Sequence, residues 1–188
     1  MGLGLKIDEV PEDRERRFLM SMAPSWSLKM TVPLEIGIST MDMDRMVNFY
    51  TSVLGLKLVA DNEVPPQTSS RTGSTPHGYR IVRLQTPYGE RIKLVQGRFP
   101  LKRGERGSYV FERQGLAYLT FVISDLEGTI QRMKDHEVEL LSGGEKVEVR
   151  PGVFAIYAID PEGNFIEFVE YPDVASYRPD LYKGRQFF

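Results

Sequence analysis

The alternation of apolar and polar residues predicts a β-strand early in the chain and an amphipathic helix directly after it. In the stretch 35–39, Glu-Ile-Gly-Ile-Ser, the two kinds of side chain point to opposite faces, as in a half-buried strand. Apolar residues at helical spacing follow, namely Met43, Met46, Val47, Tyr50, Val53 and Leu54. Gly55 ends this helix, because a left-handed residue is favoured there. The pattern therefore predicts a strand and then a helix.

This arrangement occurs twice in the chain. Residues 86–95, TPYGERIKLV, match residues 160–169, DPEGNFIEFV, in a proline, a glycine, an isoleucine and a valine. Residues 34–47 likewise resemble residues 117–130. Internal similarity of this kind indicates one structural unit that is used twice. The first copy carries a longer loop, 61–78, which is rich in Pro, Ser, Thr and Gly.

Each copy predicts one helix and four strands in the order β-α-β-β-β. The predicted strands of the first copy are 35–39, 56–60, 79–85 and 91–97. The second copy predicts a helix at 125–136 and strands at 116–123, 137–141, 152–159 and 164–170. The Pro-x-Gly turn between the last two strands of each copy predicts a type II hairpin turn. The predicted fold class is α+β, with two tandem modules.

The two modules define the expected domain organisation. We expect a single domain over residues 31–171, with module 1 at about 31–97 and module 2 at about 115–171. Residues 1–30 form an N-terminal arm, and residues 172–188 form an aromatic C-terminal tail. A tail of this kind packs on its own domain or on a partner subunit more often than it extends freely into solvent.

Composition and charge exclude several classes of function and of metal site. The 188 residues carry a formal net charge of −2, which gives no electrostatic footprint for nucleic acid or for an anionic membrane. The chain has no cysteine, which excludes disulfides, thiolate zinc sites and a cysteine nucleophile. Its two histidines, His77 and His136, exclude a three-histidine metal site within one chain. Because no signal peptide or membrane-spanning segment is predicted, we expect a soluble cytoplasmic protein.

Two motifs carry a resemblance to a known family. The first, LEIGIS-x2-DMDRMVNFY-x3-LGL, covers 34–56, and the second, DPEGNFIEF, covers 160–168. Over about residues 32–171 the chain resembles the vicinal oxygen chelate superfamily, which includes glyoxalase I, bleomycin-resistance proteins, extradiol dioxygenases and methylmalonyl-CoA epimerase. The resemblance implies two modules whose curved sheets form an open, barrel-like cavity. In the metal-using members, four strand residues bind a divalent cation at its centre.

The resemblance places the four family ligand positions on named residues of this chain. The first, usually His, falls on Glu35, and the second, usually Glu, His or Gln, falls on Lys93. The third, usually His, falls on Tyr118, and the fourth, usually Glu, falls on Glu167. A charged lysine has no lone pair to offer, and tyrosine ligates only as a phenolate. We therefore expect no cofactor; a divalent metal held by Glu35, Glu167 and a further donor such as His77 is the alternative.

The same positions predict a site that works without a metal. Lys93 can replace the missing cation as a fixed positive charge between Glu35 and Glu167, whose carboxylates would otherwise repel each other. Tyr118 adds a hydroxyl that can donate to a carboxylate or to a substrate oxygen. These four are the predicted catalytic residues. The predicted substrate-binding residues are Arg91, Ser39, Thr120 and His77.

Three functions are compatible with this sequence. The first is a metal-independent enzyme that catalyses proton transfer, isomerisation or lyase chemistry next to a carbonyl of a small organic substrate, with either carboxylate as the general base. The second is a small-molecule binding protein of the bleomycin-resistance kind. The third is a divalent-metal glyoxalase or dioxygenase with atypical ligands. Alternatively, Glu35, Lys93 and Glu167 form only a buried ion-pair network that has no catalytic role. Family members often form homodimers, and we expect a homodimer here.

Overall fold

The computed structural model describes residues 30–102, 104, 107–112 and 114–181. The predicted arm over residues 1–30 therefore lies almost entirely outside the described residues. None of the described helices is long and apolar enough to cross a membrane.

The first module follows the predicted order and adds one short helix. Its elements are β1 (Glu35–Ser39), α1 (Met43–Asn48), β2 (Lys57–Val64), α2 (Pro66–Arg71), β3 (Tyr79–Gln85) and β4 (Arg91–Gly97). The strands form one sheet in the order β1-β4-β3-β2, in which β1 and β4 are parallel. A π-helical turn, Phe49–Val53, continues α1. Gly55, with φ of 76°, follows it as the predicted left-handed residue.

The prediction of a loop over 61–78 is wrong for much of that segment. Residues 61–64 continue β2, and Pro66–Arg71 form α2. Pro66 suits the first turn of a helix, because the N–H that proline lacks would have no helical partner there. The composition that indicates a loop therefore also suits a short helix that begins with proline.

The second module repeats the β-α-β-β-β order. Its elements are β5 (Tyr118–Val122), α3 (Leu126–Asp135), β6 (Val147–Arg150), β7 (Val153–Ile159) and β8 (Phe165–Glu170). These strands form a second sheet in the order β5-β8-β7-β6, with β5 and β8 parallel. A short helix, α4 (Val174–Tyr177), lies in the predicted tail, of which residues 182–188 are outside the described residues. The α+β prediction with two β-α-β-β-β modules is confirmed, and the sheets do not close into a barrel.

The strand predicted at 137–141 is wrong. Leu140 forms only an isolated bridge with Ala158, and the strand that occupies the sheet edge, β6, begins later in the chain. Between the bridge and β6, Gly143 and Gly144 have φ values of 65° and 78°. This left-handed backbone cannot continue a strand. The edge strand is continuous in the first module and interrupted in the second.

The two Pro-x-Gly turns are not the predicted type II turns. The Gly89 amide donates to the Thr86 carbonyl oxygen at 3.1 Å, and the Gly163 amide donates to the Asp160 carbonyl oxygen at 3.0 Å. Glycine is therefore the fourth residue of each turn, whereas a type II turn places its positive φ at the third. The positive φ values of 101° and 95° belong to these two glycines, which lead the chain into the next strand.

One hydrophobic core is shared by both modules. Its largest fully buried side chains are Tyr50, Met43, Met46, Leu84, Leu94, Leu126, Met133, Ile156 and Ile166. Burial of one such side chain contributes about 1.5–3 kcal/mol. Because strand side chains alternate between faces, each sheet turns one face to this core and leaves an opposite face, here called the open face.

The turn 160–164 of the second module is tied to the first module through a buried carboxylate. Asp160 accepts hydrogen bonds from the Tyr50 hydroxyl at 3.0 Å, from the Asn164 amide at 2.9 Å and from the Asn164 side chain at 2.8 Å. Burial, and then the charge of Asp160, raises the pKa of Tyr50 well above its usual value. Tyr50 therefore remains a neutral donor that keeps Asp160 satisfied inside the protein.

The same turn also stabilises the first helical segment. The Glu162 carboxylate accepts from the Thr40 hydroxyl at 2.6 Å and from the two backbone amides that precede α1 at 2.8 and 2.7 Å. Free amides at a helix start favour an anion. At the far end of the segment, the Arg132 guanidinium of α3 donates to the Val53 carbonyl at 2.7 Å. The second module thus satisfies both ends of a helical segment in the first.

We expect Glu162→Ala to lower the free energy of unfolding by about 1–2 kcal/mol, because it removes an anionic cap and a link between the modules. Urea denaturation measures this change directly. Glu90→Ala in the corresponding turn of the first module is the matched control, since Glu90 contacts only the nearby Thr86 hydroxyl among the described side chains. Equal free energies of unfolding for the two variants would show that Glu162 does not join the modules.

Candidate functional site

A charged cluster lies on the open face of the first sheet, at the start of β1 and β4. Glu35 and Arg91 are register partners, and their carboxylate and guanidinium are 3.3 Å apart. The Lys93 ammonium lies 3.4 Å from the other carboxylate oxygen of Glu35. All three side chains keep a quarter to two fifths of their surface exposed, at 25%, 37% and 30%. The cluster is therefore within reach of a ligand on this face.

The alternation predicted for β1 correctly places Glu35 on the face opposite to the core. Ile38 is buried in the core, whereas Gly37 and Ser39 lie on the open face with Glu35. In β4, Ile92 and Leu94 are buried, and Arg91 and Lys93 are on the other face. The side-chain period of two is thus sufficient to place the charged residues on one face.

A second cluster surrounds Glu167 on the open face of the second sheet. The Thr120 hydroxyl of β5 donates to one carboxylate oxygen of Glu167 at 2.7 Å. The Tyr157 hydroxyl of β7 donates to the other oxygen at 2.9 Å. Both donors are direct neighbours of Glu167 in the strand register. Two hydroxyls from the two adjacent strands therefore hold the carboxylate in one orientation.

Tyr157 is a member of the second cluster that the sequence did not predict. Burial first, and then its hydrogen bond to Glu167, raises the pKa of Tyr157 well above the usual value of a tyrosine. Tyr118 adds to this rise, and its ring meets the Tyr157 ring edge-on with centroids 5.5 Å apart. The alternation of residues in β7 could indicate which face Tyr157 lies on. It could not indicate that Tyr157 lies beside Glu167, because that depends on the register between β7 and β8.

An open cleft of about 200 Å³ lies beside Tyr118, where β1 of the first sheet approaches β5 of the second. Its lining includes Ile38, Leu119 and Phe165 from the strands. The segment between the modules contributes further residues, Gly107, Tyr109, Val110, Gln114 and Leu116. The Phe111 ring packs on Tyr118 at 5.9 Å and is itself 74% exposed. The cleft therefore has an aromatic rim next to the second cluster.

The structure divides the predicted site residues into two groups. Glu35, Lys93 and Arg91 form the first cluster, and Tyr118, Thr120 and Glu167 belong to the second. Within the described part of the chain, no ion pair or hydrogen bond joins one group to the other. Lys93 is predicted to lie between the two carboxylates. Among the described residues, its ammonium directly contacts only the Glu35 carboxylate.

Two predicted substrate-binding residues make no hydrogen bond or ion pair with either cluster among the described side chains. His77 is exposed in the loop before β3, with its ring 5.6 Å from the Phe99 ring. This is the end of the β3–β4 hairpin opposite to Arg91. Ser39 lies on the open face at the other end of β1 from Glu35 and carries no contact with the cluster among the described residues.

The residues at the four family ligand positions do not fit a divalent cation. Lys93 presents an ammonium, which has no lone pair. Each oxygen of Glu167 already accepts a hydroxyl hydrogen bond, and Glu35 is paired with two cations. Among the described residues, no group of three or more His, Cys, Asp or Glu side chains could hold a metal ion.

The fold is shared with solved structures of the glyoxalase kind. A glyoxalase family protein from Bacillus cereus is 23% identical, with a TM-score of 0.65 over 76% of this chain and 95% of its own. The trypanothione-dependent glyoxalase I of Leishmania major is 20% identical, with a TM-score of 0.55 over 79% and 93%. A glyoxalase family protein from Enterococcus faecalis is 21% identical, with a TM-score of 0.54 over 76% and 98%. At these identities the similarity is one of fold.

Sequence comparison identifies the family. No curated protein matches the chain. The family model described as "Glyoxalase/Bleomycin resistance protein/Dioxygenase superfamily" matches residues 33–168. This range contains the first module, the turn 160–164, both polar clusters and the second module up to the middle of β8. The chain therefore belongs to the glyoxalase/bleomycin resistance protein/dioxygenase superfamily.

Proposed function

We propose that the protein is a metal-independent enzyme that moves a proton next to a carbonyl group of a small organic molecule, with Glu167 as the general base. The observation that carries this proposal is the orientation of Glu167 by two hydroxyls, at a position where metal-using relatives have a ligand. The cytoplasmic location, the homodimer and the absence of a cofactor stay predictions from the sequence.

Glu167 has the properties that a general base needs. An ionised carboxylate has about four acceptor sites, and Thr120 and Tyr157 use two of them. The remaining acceptor sites can receive a proton from a bound substrate. The neighbouring groups are neutral hydroxyl donors, and among the described residues the carboxylate takes part in no ion pair.

Glu35 is the weaker candidate for the base. Its two carboxylate oxygens face Arg91 and Lys93 at 3.3 and 3.4 Å. Each of its oxygens is thus already paired with a cation, whereas the oxygens of Glu167 are held by neutral hydroxyls. The two carboxylates, which the sequence leaves equivalent, are thus distinguished by their surroundings.

The proposed reaction needs one base and one hydrogen-bond donor. Glu167 takes the proton from the carbon next to the carbonyl, and the electron pair of that C–H bond moves to form an enolate. The Tyr118 hydroxyl, which lies beside Tyr157, donates a hydrogen bond to the enolate oxygen. The proton then returns to another atom in an isomerisation, or a leaving group departs from the adjacent carbon in a lyase reaction.

A binding function is the second candidate, and the cleft favours it. Tyr109, Phe111 and Leu116 are 73%, 74% and 74% exposed around or beside the cleft. Exposed apolar side chains next to a concave surface are typical of small-molecule binding sites. In a protein of this kind, a ligand would bind stoichiometrically and be recovered unchanged.

We expect the protein to catalyse exchange of carbon-bound protons for deuterium, and Glu167→Gln to slow this exchange by about 100-fold or more, because the amide cannot accept the proton. Pyruvate and hydroxyacetone in D2O serve as probes, and loss of their proton NMR signals gives the rate. Glu63→Gln is the control, since Glu63 is an exposed surface residue paired with Arg98. Wild-type exchange that is unchanged in Glu167→Gln would remove Glu167 from the role of base.

We expect the Tyr157 phenol to remain neutral at a pH where exposed tyrosines ionise, because its raised pKa delays loss of the proton. Absorbance at 295 nm during titration to about pH 11 measures tyrosinate formation. Tyr157→Phe should leave the amplitude of this titration unchanged, because the phenol that it removes stays protonated in this range. A reduced amplitude in Tyr157→Phe would show that Tyr157 is not held as a donor to Glu167.

A further inference from the structure

The open face of the first sheet carries an excess of positive charge around Lys93. The strand register places Arg83 beside Lys93, and Arg91 beside Glu35. Three cations on this part of the face therefore stand against the single carboxylate of Glu35. The proposed proton transfer uses none of these cations directly.

Arg83 and Lys93 are like charges in a direct cross-strand pair. Side chains of opposed residues in antiparallel strands lie on the same side, with Cβ atoms about 4.5–5.5 Å apart. Two positive charges in this arrangement repel each other. The next pair on the same face, Ile81 and Val95, is apolar, and Ile81 is only 8% exposed. An adjacent apolar surface increases the repulsion, because the local dielectric constant is lower.

The two side chains turn away from each other toward different neighbours. Lys93 extends toward β1, where its ammonium lies 3.4 Å from Glu35. Arg83 extends toward β2, where its guanidinium donates to the Asn62 side-chain oxygen at 3.1 Å. Asn62 is neutral, and within the described part of the chain Arg83 forms no ion pair. The positive charge of Arg83 is thus not neutralised by the described residues.

We propose that Arg83 and Lys93 together bind an anionic group, a carboxylate or a phosphate, of the small-molecule substrate. An anion between the two side chains converts their repulsion into two attractions. The Arg83 guanidinium supplies a planar pair of donors, and Lys93 supplies a compact charge. This substrate class rests on the proposed function, because the anion is the recognition group of the molecule whose proton is moved.

The experiment uses inorganic phosphate and acetate as separate probes at constant ionic strength. Calorimetry gives the dissociation constant of each anion. Thermal unfolding gives the rise in unfolding temperature that each anion causes, because a ligand that binds the folded state stabilises it. Arg83→Gln is the test variant. Arg80→Gln is the matched control, since Arg80 is on the same strand but pairs with Asp61 and Asp44 on the other face. Both variants remove one positive charge.

We expect Arg83→Gln to weaken binding of the preferred anion by about tenfold or more and to abolish its stabilising effect. Arg80→Gln should bind as the wild type does. The probe that binds more tightly identifies the group as phosphate or carboxylate. Because Arg83→Gln relieves a repulsion, its unfolding temperature without anion should equal or exceed that of the wild type. Equal anion binding by wild type and Arg83→Gln, or equal losses in the two variants, would overturn the proposal.

The two proposals fail in different ways. Glu167→Gln should bind the anion normally while it loses proton exchange. If Arg83→Gln binds anions normally and the wild type exchanges the protons of neutral hydroxyacetone, the substrate class is wrong and the proposed function stands. If the wild type binds anions through Arg83 but exchanges no protons, the anion site stands and the proposed function is wrong.

Discussion

The carboxylates of Asp160 and Glu162 hold the two modules in one arrangement. Asp160 is buried, at 3% exposed, so its charge is tolerated only while Tyr50 and the backbone of its own turn donate to it. Glu162 simultaneously caps the helical segment that carries Tyr50. A displacement of one module would leave a buried anion unsatisfied and a helix start uncapped. The cleft beside Tyr118, where the edges of the two sheets approach each other, depends on this junction.

The larger core is shared between the modules, and both polar clusters lie on the open faces of the sheets. On the second sheet, Glu167 and Tyr157 lie beside a smaller buried apolar cluster of Val153, Ala155 and Val169. The first sheet neutralises its carboxylate with cations, whereas the second holds its carboxylate with hydroxyls. Both solutions lie at positions that the resemblance in the sequence predicts to be family ligand positions. The first creates a positively charged surface, which suits recognition of an anion. The second leaves Glu167 oriented and able to accept a proton, which suits catalysis.

Much of the fold could be predicted because it repeats. The duplicated turn, the alternation around Glu35 and the helical spacing before Gly55 were sufficient for the module order and for the side of each sheet that carries charge. The strand predicted at 137–141 failed because of local backbone geometry. Hydrophobicity alone indicates a strand there, but the left-handed backbone of Gly143 and Gly144 interrupts it. Tertiary register limited the site, since Tyr157 meets Glu167 only through the pairing of β7 with β8. The distance between Lys93 and Glu167 depends on how the sheets meet, and no periodicity encodes that.

The proposed function requires the oriented Glu167 carboxylate to act without a metal ion. The most direct test measures proton–deuterium exchange on the carbonyl probe before and after exhaustive chelation, with elemental analysis of the same samples. A metal-independent reaction should proceed at a rate that is unchanged by chelation and by subsequent addition of Zn, Ni, Mn or Fe ions. A rate that falls on chelation and returns with one of these ions would contradict it.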